Sequence, residues 1–390
     1  MNRKAFLTLI GLLVVLGGIG LTLFWQDLNV WRGTDTKIGT RLFEKLPVND
    51  VAQINVVDSA GVATLMLKDN RWVVKQRGDY YASYADISEL LVKLPDVKVV
   101  QTENVGATLL PRLNLVAPGK DANKSAGVEG KDTEKTGTQF ELLDKSGKVL
   151  ASLLLGKKVI KIEDSPLPIK QEKPVGRYVL FPGNPTVLVI SDALNTAEAK
   201  PERWLSKDFF KVDKIKSLTA SGDGTPWKIA RSEEFGRWAF ADGAAGLLDP
   251  TAVGDATKAL SGMAFTDVVL EASAVKTDKP RTLVAETFDN LTYTIKIAKK
   301  IASEDYVLSY TISGEPPRER TPEKGEKPAD KERSDKYFVE DLKRLDERLK
   351  LEKRIMTWTY VAAGKTLNPL LVDRAQLVVE KKPAPAAPKK

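Results

Sequence analysis

The acidic side chains are the residues of this chain that could do chemistry, because two carboxylates facing one cleft can hydrolyse glycosidic bonds. The nearest pairs are Glu233 with Glu234, Asp249 with Asp255, and Glu163 with Asp164. Glu233 and Glu234 fall in a predicted turn, and nothing in the spacing directs any pair toward a shared cleft. We therefore interpret the pairs as surface charge and rank a carboxylate-based hydrolase last among three hypotheses.

Composition excludes other catalytic classes. The chain has no cysteine and no histidine, so it can form no Ser-His-Asp triad, no cysteine nucleophile and no zinc site of the usual Cys/His kind. It also lacks a Walker-type loop and the spacing of a helix-loop-helix calcium site. We expect no catalytic, cofactor-binding or metal-ligating residues, and thus a protein that is not an enzyme.

Three tryptophans remain as candidates for ligand contact, namely Trp72, Trp227 and Trp238. Their surroundings recur in the two halves of the chain, which favours a role as large core anchors. The alternative is a stacking surface for sugars, which requires that the indole rings be partly exposed.

The first hydrophobic run covers residues 5–25 and contains no ionisable side chain. At about 1.5 Å per residue it spans roughly 30 Å, the thickness of a bilayer's hydrocarbon core. Arg3 and Lys4 precede it, and positive charge stays on the cytoplasmic side. We predict an uncleaved anchor in the cytoplasmic membrane (residues 1–26), with the N-terminus inside and the bulk of the chain periplasmic or extracellular. A cleaved signal peptide and a buried core helix are the alternatives.

The net charge of +8 is spread over the chain rather than gathered into one stripe. A nucleic-acid partner is therefore not expected. The lipid bilayer is the first partner that the sequence predicts.

Alternating apolar residues predict antiparallel hairpins, beginning with residues 51–57 and 62–68. Residues 84–94 have the apolar spacing of a helix, with Asp86 as its predicted cap. Asp249 and Pro250 begin a second helix, since proline is accommodated in a first turn. Residues 337–339 read as a strand, followed by a helix over 340–352.

The order of elements recurs along the chain, which predicts a duplication. The predicted boundaries are a tether at 27–40, a first repeat at 41–205, a second repeat at 206–362, and a C-terminal extension with a disordered tail at 363–390. Charge-rich mobile segments are predicted at 120–138 and 315–335. The predicted fold class is α+β: one N-terminal transmembrane helix, then a duplicated strand-rich module of antiparallel hairpins with one or two packing helices per repeat.

Several stretches together resemble a bacterial family of membrane-anchored proteins that is catalogued as a domain of unknown function. They are residues 112–115 (RLNL), 137–142 (GTQFEL), 144–149 (DKSGKV), 153–157 (LLLGK), 176–179 (GRYV), 204–209 (WLSKDF) and 212–215 (VDKI). The resemblance implies a neighbourhood beside gliding-motility-type ABC transporter subunits. It carries over no catalytic residues.

Two other hypotheses for the function rank above the hydrolase. The first is a non-enzymatic, membrane-anchored accessory protein of the cell envelope, associated with an ABC-type transporter or gliding-type export system and binding the transporter's membrane subunits. The alternative is a protein that binds envelope polysaccharide.

Overall fold

The computed structural model describes residues 38–119, 135–163, 171–243, 246–271, 275–322 and 325–379. The chain divides into two compact units, of which unit 1 ends at Ser206 and unit 2 begins at Lys207. The predicted anchor (5–25), most of the tether (27–37), most of the first charged segment (120–134) and the tail (380–390) lie outside the described residues.

Unit 1 is built on one nine-stranded sheet in the order β4-β3-β2-β1-β6-β7-β8-β9-β5. Its strands are β1 (Gln53–Val57), β2 (Val62–Lys68), β3 (Arg71–Val74), β4 (Tyr80–Tyr81), β5 (Val99–Asn104), β6 (Thr138–Leu143), β7 (Val149–Glu163), β8 (Gln171–Leu180) and β9 (Thr186–Ile190). All of its paired strands are antiparallel.

The first hairpin follows from the alternation of its residues. Ile54 and Val56 of β1 are fully buried on one face, and Ile54 lies opposite the buried Leu65 of β2. Asp58 shapes the turn, because its Oδ1 accepts hydrogen bonds from the amides of Ala60 and Gly61. This hairpin was predicted and is confirmed.

Helix α1 (Tyr84–Lys93) carries the chain from the β4 edge to the opposite, β5 edge of the sheet. Ile87 and Leu90 are its buried residues. The predicted cap was wrong by three residues: Ser83 caps the helix by accepting from the amide of Asp86. The Asp86 carboxylate pairs instead with Arg203 at 3.0 Å.

The segment before β6 crosses the nine-stranded sheet on the face that carries Leu154 and Val187. Leu115 packs there with Leu154 and Val187 in a small apolar cluster. The approach is close enough to require glycine: a Cβ on Gly156 would lie 2.5 Å from the carbonyl oxygen of Leu113. This segment therefore lies directly against β7 at Gly156.

Unit 2 has an eight-stranded sheet in the order β12-β11-β10-β14-β15-β16-β17-β13. Its strands are β10 (Ile215–Gly222), β11 (Trp227–Ala230), β12 (Ala239–Phe240), β13 (Asp267–Val269), β14 (Thr277–Thr287), β15 (Leu291–Lys300), β16 (Asp305–Gly314) and β17 (Thr359–Ala363). The connectivity is that of unit 1 without a counterpart of β4. Helix α2 (Pro250–Ser261) corresponds to α1. It begins after Asp249, with Pro250 in its first turn, as predicted, and the Asp249 side chain caps it by accepting from the amide of Thr251.

Two further helices belong to unit 2, α3 (Pro328–Ile355) and α4 (Gly364–Leu367). The core of this unit is rich in aromatic rings: Phe209 lies 4.5 Å from Tyr360 and 4.8 Å from Phe265, and Phe210 lies 4.0 Å from Tyr310, measured between ring centroids. Past α4, residues 368–377 still contribute to the core, since Leu370 and Leu377 are fully buried.

The predicted fold class is wrong. The described residues form two antiparallel sheets with few helices, rather than an α+β fold that begins with a transmembrane helix. Among the described helices, none combines the length and the apolar character needed to cross a bilayer. The physical reason is that successive hairpins pair with one another edge to edge, so that the strands of each unit form one continuous sheet.

Helix α3 also differs from expectation. Residues 337–339, predicted as a strand, lie in its middle, and it begins at Pro328 inside the segment predicted to be mobile. The strand that takes the place of β9 is β17, which follows the helix. Paired charges at helical spacing, such as Glu332 with Lys336 at 3.1 Å, stabilise a helix that the apolar pattern alone does not reveal.

Candidate functional site

The three candidate tryptophans have different environments. Trp72 lies in β3 with 9% of its surface exposed, and Trp227 at the start of β11 has 2% exposed. The Trp227 indole nitrogen donates to the carbonyl oxygen of Val372 at 2.9 Å. Both rings are thus parts of a core, and neither presents a face for stacking.

Trp238 is the half-buried member of the three. The guanidinium of Arg231 lies 4.8 Å from the centroid of its ring, a cation–π arrangement. Trp238 and Arg231 line a cavity of about 270 Å³. Three residues near the end of α2, Thr257, Lys258 and Ser261, also line it.

The two acidic pairs that the structure describes are not brought together in a cleft. Asp249 is engaged as the cap of α2, and Asp255 lies exposed on that helix. Glu233 and Glu234 lie in the turn that ends at Gly236, whose amide donates to the carbonyl oxygen of Glu233. The pair at 163–164 is not among the described side chains. Within the described residues there is also no group of three or more acidic side chains arranged to hold a metal ion.

A charged network that the sequence analysis missed lies at the end of α3. Glu352 is fully buried, which is unusual for a carboxylate. Its Oε2 accepts from the hydroxyl of Tyr293 at 3.0 Å, and its Oε1 accepts from the amide of Lys211 at 3.1 Å. The Nε of Arg348, one helical turn earlier, lies 3.3 Å from the same Oε1.

Burial controls the electrostatics of this network. It raises the pKa of Glu352, because a carboxylate is less stable away from water, while the Lys211 amide and Arg348 oppose the shift. Burial also raises the pKa of Tyr293, and the adjacent Glu352 adds to that effect. Tyr293 therefore stays protonated and donates its hydrogen bond.

The network continues outward to the surface through Arg348. Its Nη1 bonds Asp213, next to Lys214 in the segment that enters β10. Lys214 has a left-handed backbone conformation, with φ of 48°, and its amine lies 3.2 Å from Asp289. The Lys214 side chain thus contacts the turn between β14 and β15, which carries Asp289.

A cavity of about 340 Å³ opens beside these charges. Its apolar lining comes from Phe338, Leu342 and Leu345 of α3 and from Pro316 and Pro317. Its charged lining comes from Asp213, Lys214, Asp289, Asp341, Arg344 and Arg348. We call this cavity the α3 cleft.

The α3 cleft can bind but is poorly arranged for catalysis. Glu352, the carboxylate with the raised pKa, is fully buried and cannot meet a substrate. The other acids of the lining are held in pairs with lysine and arginine, as Asp289 is with Lys214 and Asp341 is with Arg344. A cavity lined by apolar side chains and by charges of both signs suits a protein segment as ligand.

The spacing Arg348-x-x-x-Glu352 is the sequence signal that could have indicated this site. Opposite charges four residues apart lie on one face of a helix. That spacing is common on exposed helices, so only the burial of Glu352 distinguishes it.

The fold and the cleft define a protein of two antiparallel-sheet units with a candidate binding site in the second. Residues 72–286 match the family described as Domain of unknown function (DUF4340). The chain belongs to this family. The matched segment runs from β3 into β14, so it includes Asp213 and Lys214 but ends before α3. No curated protein and no solved structure matches the chain.

Proposed function

We propose that this chain is a non-enzymatic accessory protein of the cell envelope, which binds a protein partner at the α3 cleft. The observation that carries the proposal is the packing of α3. Its only buried residues, Leu349, Glu352 and Ile355, lie in its last two turns. The earlier turns lie beside the cleft and are only partly covered, which makes them available to a partner.

Two exposed apolar residues of α3 allow the proposal to be tested. Tyr337 and Val339 each have 64% of their surface exposed. At about 100° per residue, Tyr337 lies on the side of Arg344 and Arg348, which line the cleft, whereas Val339 points away from it. The two positions therefore form a matched pair that differs in direction but not in exposure.

The experiment places a photo-cross-linking residue at position 337 or 339 of the full chain in cells. Cross-links to a partner are expected from position 337 and not from position 339. The transporter's membrane subunits are the partner class to test first, because of the family resemblance. Recovery of the chain alone from mild detergent, with no cross-link from either position, would contradict the proposal.

We also propose a membrane-associated location with both sheet units outside the cytoplasm. The support is the uncharged run of residues 5–25 with Arg3 and Lys4 before it. Protease added to intact spheroplasts should digest both units. Release of the intact chain by a salt wash, or protection of the units from protease, would oppose this location.

Binding of an envelope polysaccharide is the second candidate, and one observation favours it. Trp238 is partly exposed in a cavity that also contains the polar side chains of Thr257 and Ser261. If this candidate is correct, glycans quench the fluorescence of the wild-type chain, and the quenching is lost in Trp238→Leu but not in Trp358→Leu. Equal quenching in the two variants would contradict polysaccharide binding at Trp238.

A further inference from the structure

Unit 1 has a two-stranded extension that leaves its sheet. Pairing of β7 with β6 ends at Leu155, whereas β7 continues to Glu163. On the other side, β8 pairs with β9 only from Arg177 onward. Residues 157–163 and 171–176 therefore pair only with each other among the described strands, and we call them the ribbon.

The corresponding hairpin of unit 2 is covered on both sides. By sheet order, β15 and β16 take the places of β7 and β8. There β14 follows β15 to its last residue, where Thr277 lies opposite Lys300. On the other edge, β17 pairs with the first residue of β16, where Ala363 lies opposite Asp305. The ribbon is thus a feature of unit 1 and not a property of the shared sheet order.

The ribbon exposes a pair of apolar side chains. Ile160 and Ile162 lie on the same face of β7, since alternate residues of a strand share a face. They are 45% and 58% exposed, and Pro174 and Glu172 lie opposite them on β8. Single exposed apolar residues are ordinary on a protein surface, but two neighbouring ones on a strand pair that leaves its sheet indicate an interaction site.

The ribbon also brings like charges together. Lys161 lies directly opposite Lys173, and Lys158 lies opposite Arg177. Like charges at opposed positions destabilise a strand pair. Residues 157–163 and 171–176 contain four lysines against two glutamates, a net positive charge that an anionic surface would complement.

The edges of the ribbon are poor templates for another strand. Pro174 cannot donate a hydrogen bond from its nitrogen, and lysines along an exposed edge discourage pairing. Contact through the faces of the ribbon is favoured over addition of a strand from a partner. One face carries the isoleucines with Glu172, and Lys157, Lys161 and Lys173 lie on the other.

We propose that the ribbon binds the surface of an anionic phospholipid membrane. Ile160 and Ile162 enter the boundary between headgroups and acyl chains, where amphipathic elements bury their apolar face. The lysines meet the headgroup phosphates, which attract basic residues near the surface. This inference concerns unit 1 and does not depend on partner binding at the α3 cleft.

The absence of cysteine permits a specific test, because one introduced thiol is the only one in the chain. The full-length variant Ile162→Cys is labelled with a polarity-sensitive fluorophore. Val92→Cys is the control, since Val92 is 68% exposed on α1 of the same unit. Vesicles of phosphatidylcholine with phosphatidylglycerol should shift the emission at position 162 to shorter wavelength and leave position 92 unchanged.

Charge reversal distinguishes lipid binding from its alternatives. Lys161→Glu with Lys173→Glu should weaken the response to anionic vesicles at least about tenfold, whereas the exposed pair Lys216→Glu with Lys228→Glu should leave it unchanged. An equal response to pure phosphatidylcholine, or no effect of the ribbon reversal, would overturn the proposal. A shift caused by soluble glycerophosphoglycerol, or by detergent-solubilised transporter subunits but not by vesicles, would also overturn it.

Discussion

Glu352 shows how a single residue can anchor a long helix. A buried carboxylate is costly unless hydrogen bonds and an opposite charge compensate it. The hydroxyl of Tyr293, the amide of Lys211 and the guanidinium of Arg348 provide that compensation. The contacts join the end of α3 to β15 and to the segment before β10, which fixes one wall of the α3 cleft.

Replacement of Glu352 by leucine should lower the free energy of unfolding by about 3 kcal/mol, because Arg348 and two buried donors lose their partner. Glu352→Gln should cost less, since its amide retains an oxygen acceptor and the Tyr293 hydroxyl can accept from its nitrogen. Urea unfolding followed by tryptophan fluorescence measures both. The control is Glu347→Gln on the exposed side of α3, expected within about 0.5 kcal/mol of wild type. Equal losses for the two Glu352 variants would contradict this account.

The raised pKa of Glu352 has a defined consequence for stability against pH. The native state holds the Glu352 proton more tightly than the unfolded state, whose pKa is near the ordinary value of 4.5. Stability is therefore greatest while the group is protonated, and it falls as the pH rises from 4.5 through the raised pKa of the native state. Over that pH range, the unfolding free energy of the wild type should fall relative to that of Glu352→Gln. Parallel pH profiles of the two proteins would contradict the prediction.

At the residue level, little of the site was accessible from sequence. Trp238 was named as a possible contact residue and does line a cavity. Glu352 was not named, because its burial depends on Tyr293 and Lys211, which are distant from it in the chain. Sequence spacing reports neighbours on one helix and does not report neighbours brought together by a sheet.

Among the elements, α2 shows what local pattern can predict. Its start at Asp249 and its first-turn proline were predicted from the sequence, and the structure has both. Helix α3 shows the opposite case. Its apolar residues Tyr337, Phe338 and Val339 suggested a strand, whereas charge pairs such as Asp330 with Arg333 support a helix. A short apolar run cannot by itself distinguish strand from helix.

Helix α2 also offers a simple test of helix propensity. Gly254 lies in its interior, and a Cβ at that position meets no atom within 4 Å. Gly254→Ala should therefore stabilise the protein by about 0.5–1 kcal/mol, because alanine loses less backbone entropy on folding. Thermal or urea unfolding measures the gain.

Gly156→Ala is the opposing control. Its Cβ would lie 2.5 Å from the carbonyl oxygen of Leu113, so this variant should destabilise the chain. If Gly156→Ala does not destabilise the chain, the close approach at Gly156 is not as described.

On the scale of the whole molecule, the two sheets share one plan. In each unit the first strand lies near the centre, and a helix carries the chain to the far edge of the sheet. The chain then returns to pair with the first strand, and a meander of four strands ends beside the edge strand. The recurrence of elements could be read from sequence, but the single sheet per unit could not. Pairing of β1 with β6 joins residues that are separated by more than eighty positions, and no local pattern specifies it.

This plan predicts how exchange protection is distributed in both units. Amides of the central strands β1, β6, β10 and β14 should exchange with solvent more slowly than those of the short edge strands β4 and β12. Hydrogen–deuterium exchange followed by mass spectrometry measures the order. Protection of β4 or β12 equal to that of the central strands would show that the edges are covered in solution.

The position of β5 has a consequence for biosynthesis. Its sheet partner β9 ends at Ile190, so the pairing of Val99 with Ile190 must wait until the ribosome has added about ninety more residues. During that interval the residues of β5 have been synthesised, but the strand β9 to which they hydrogen-bond has not. A stalled or prematurely terminated polypeptide that stops before Thr186 would keep this edge open, and would therefore be a substrate for chaperones and proteases that the complete chain escapes.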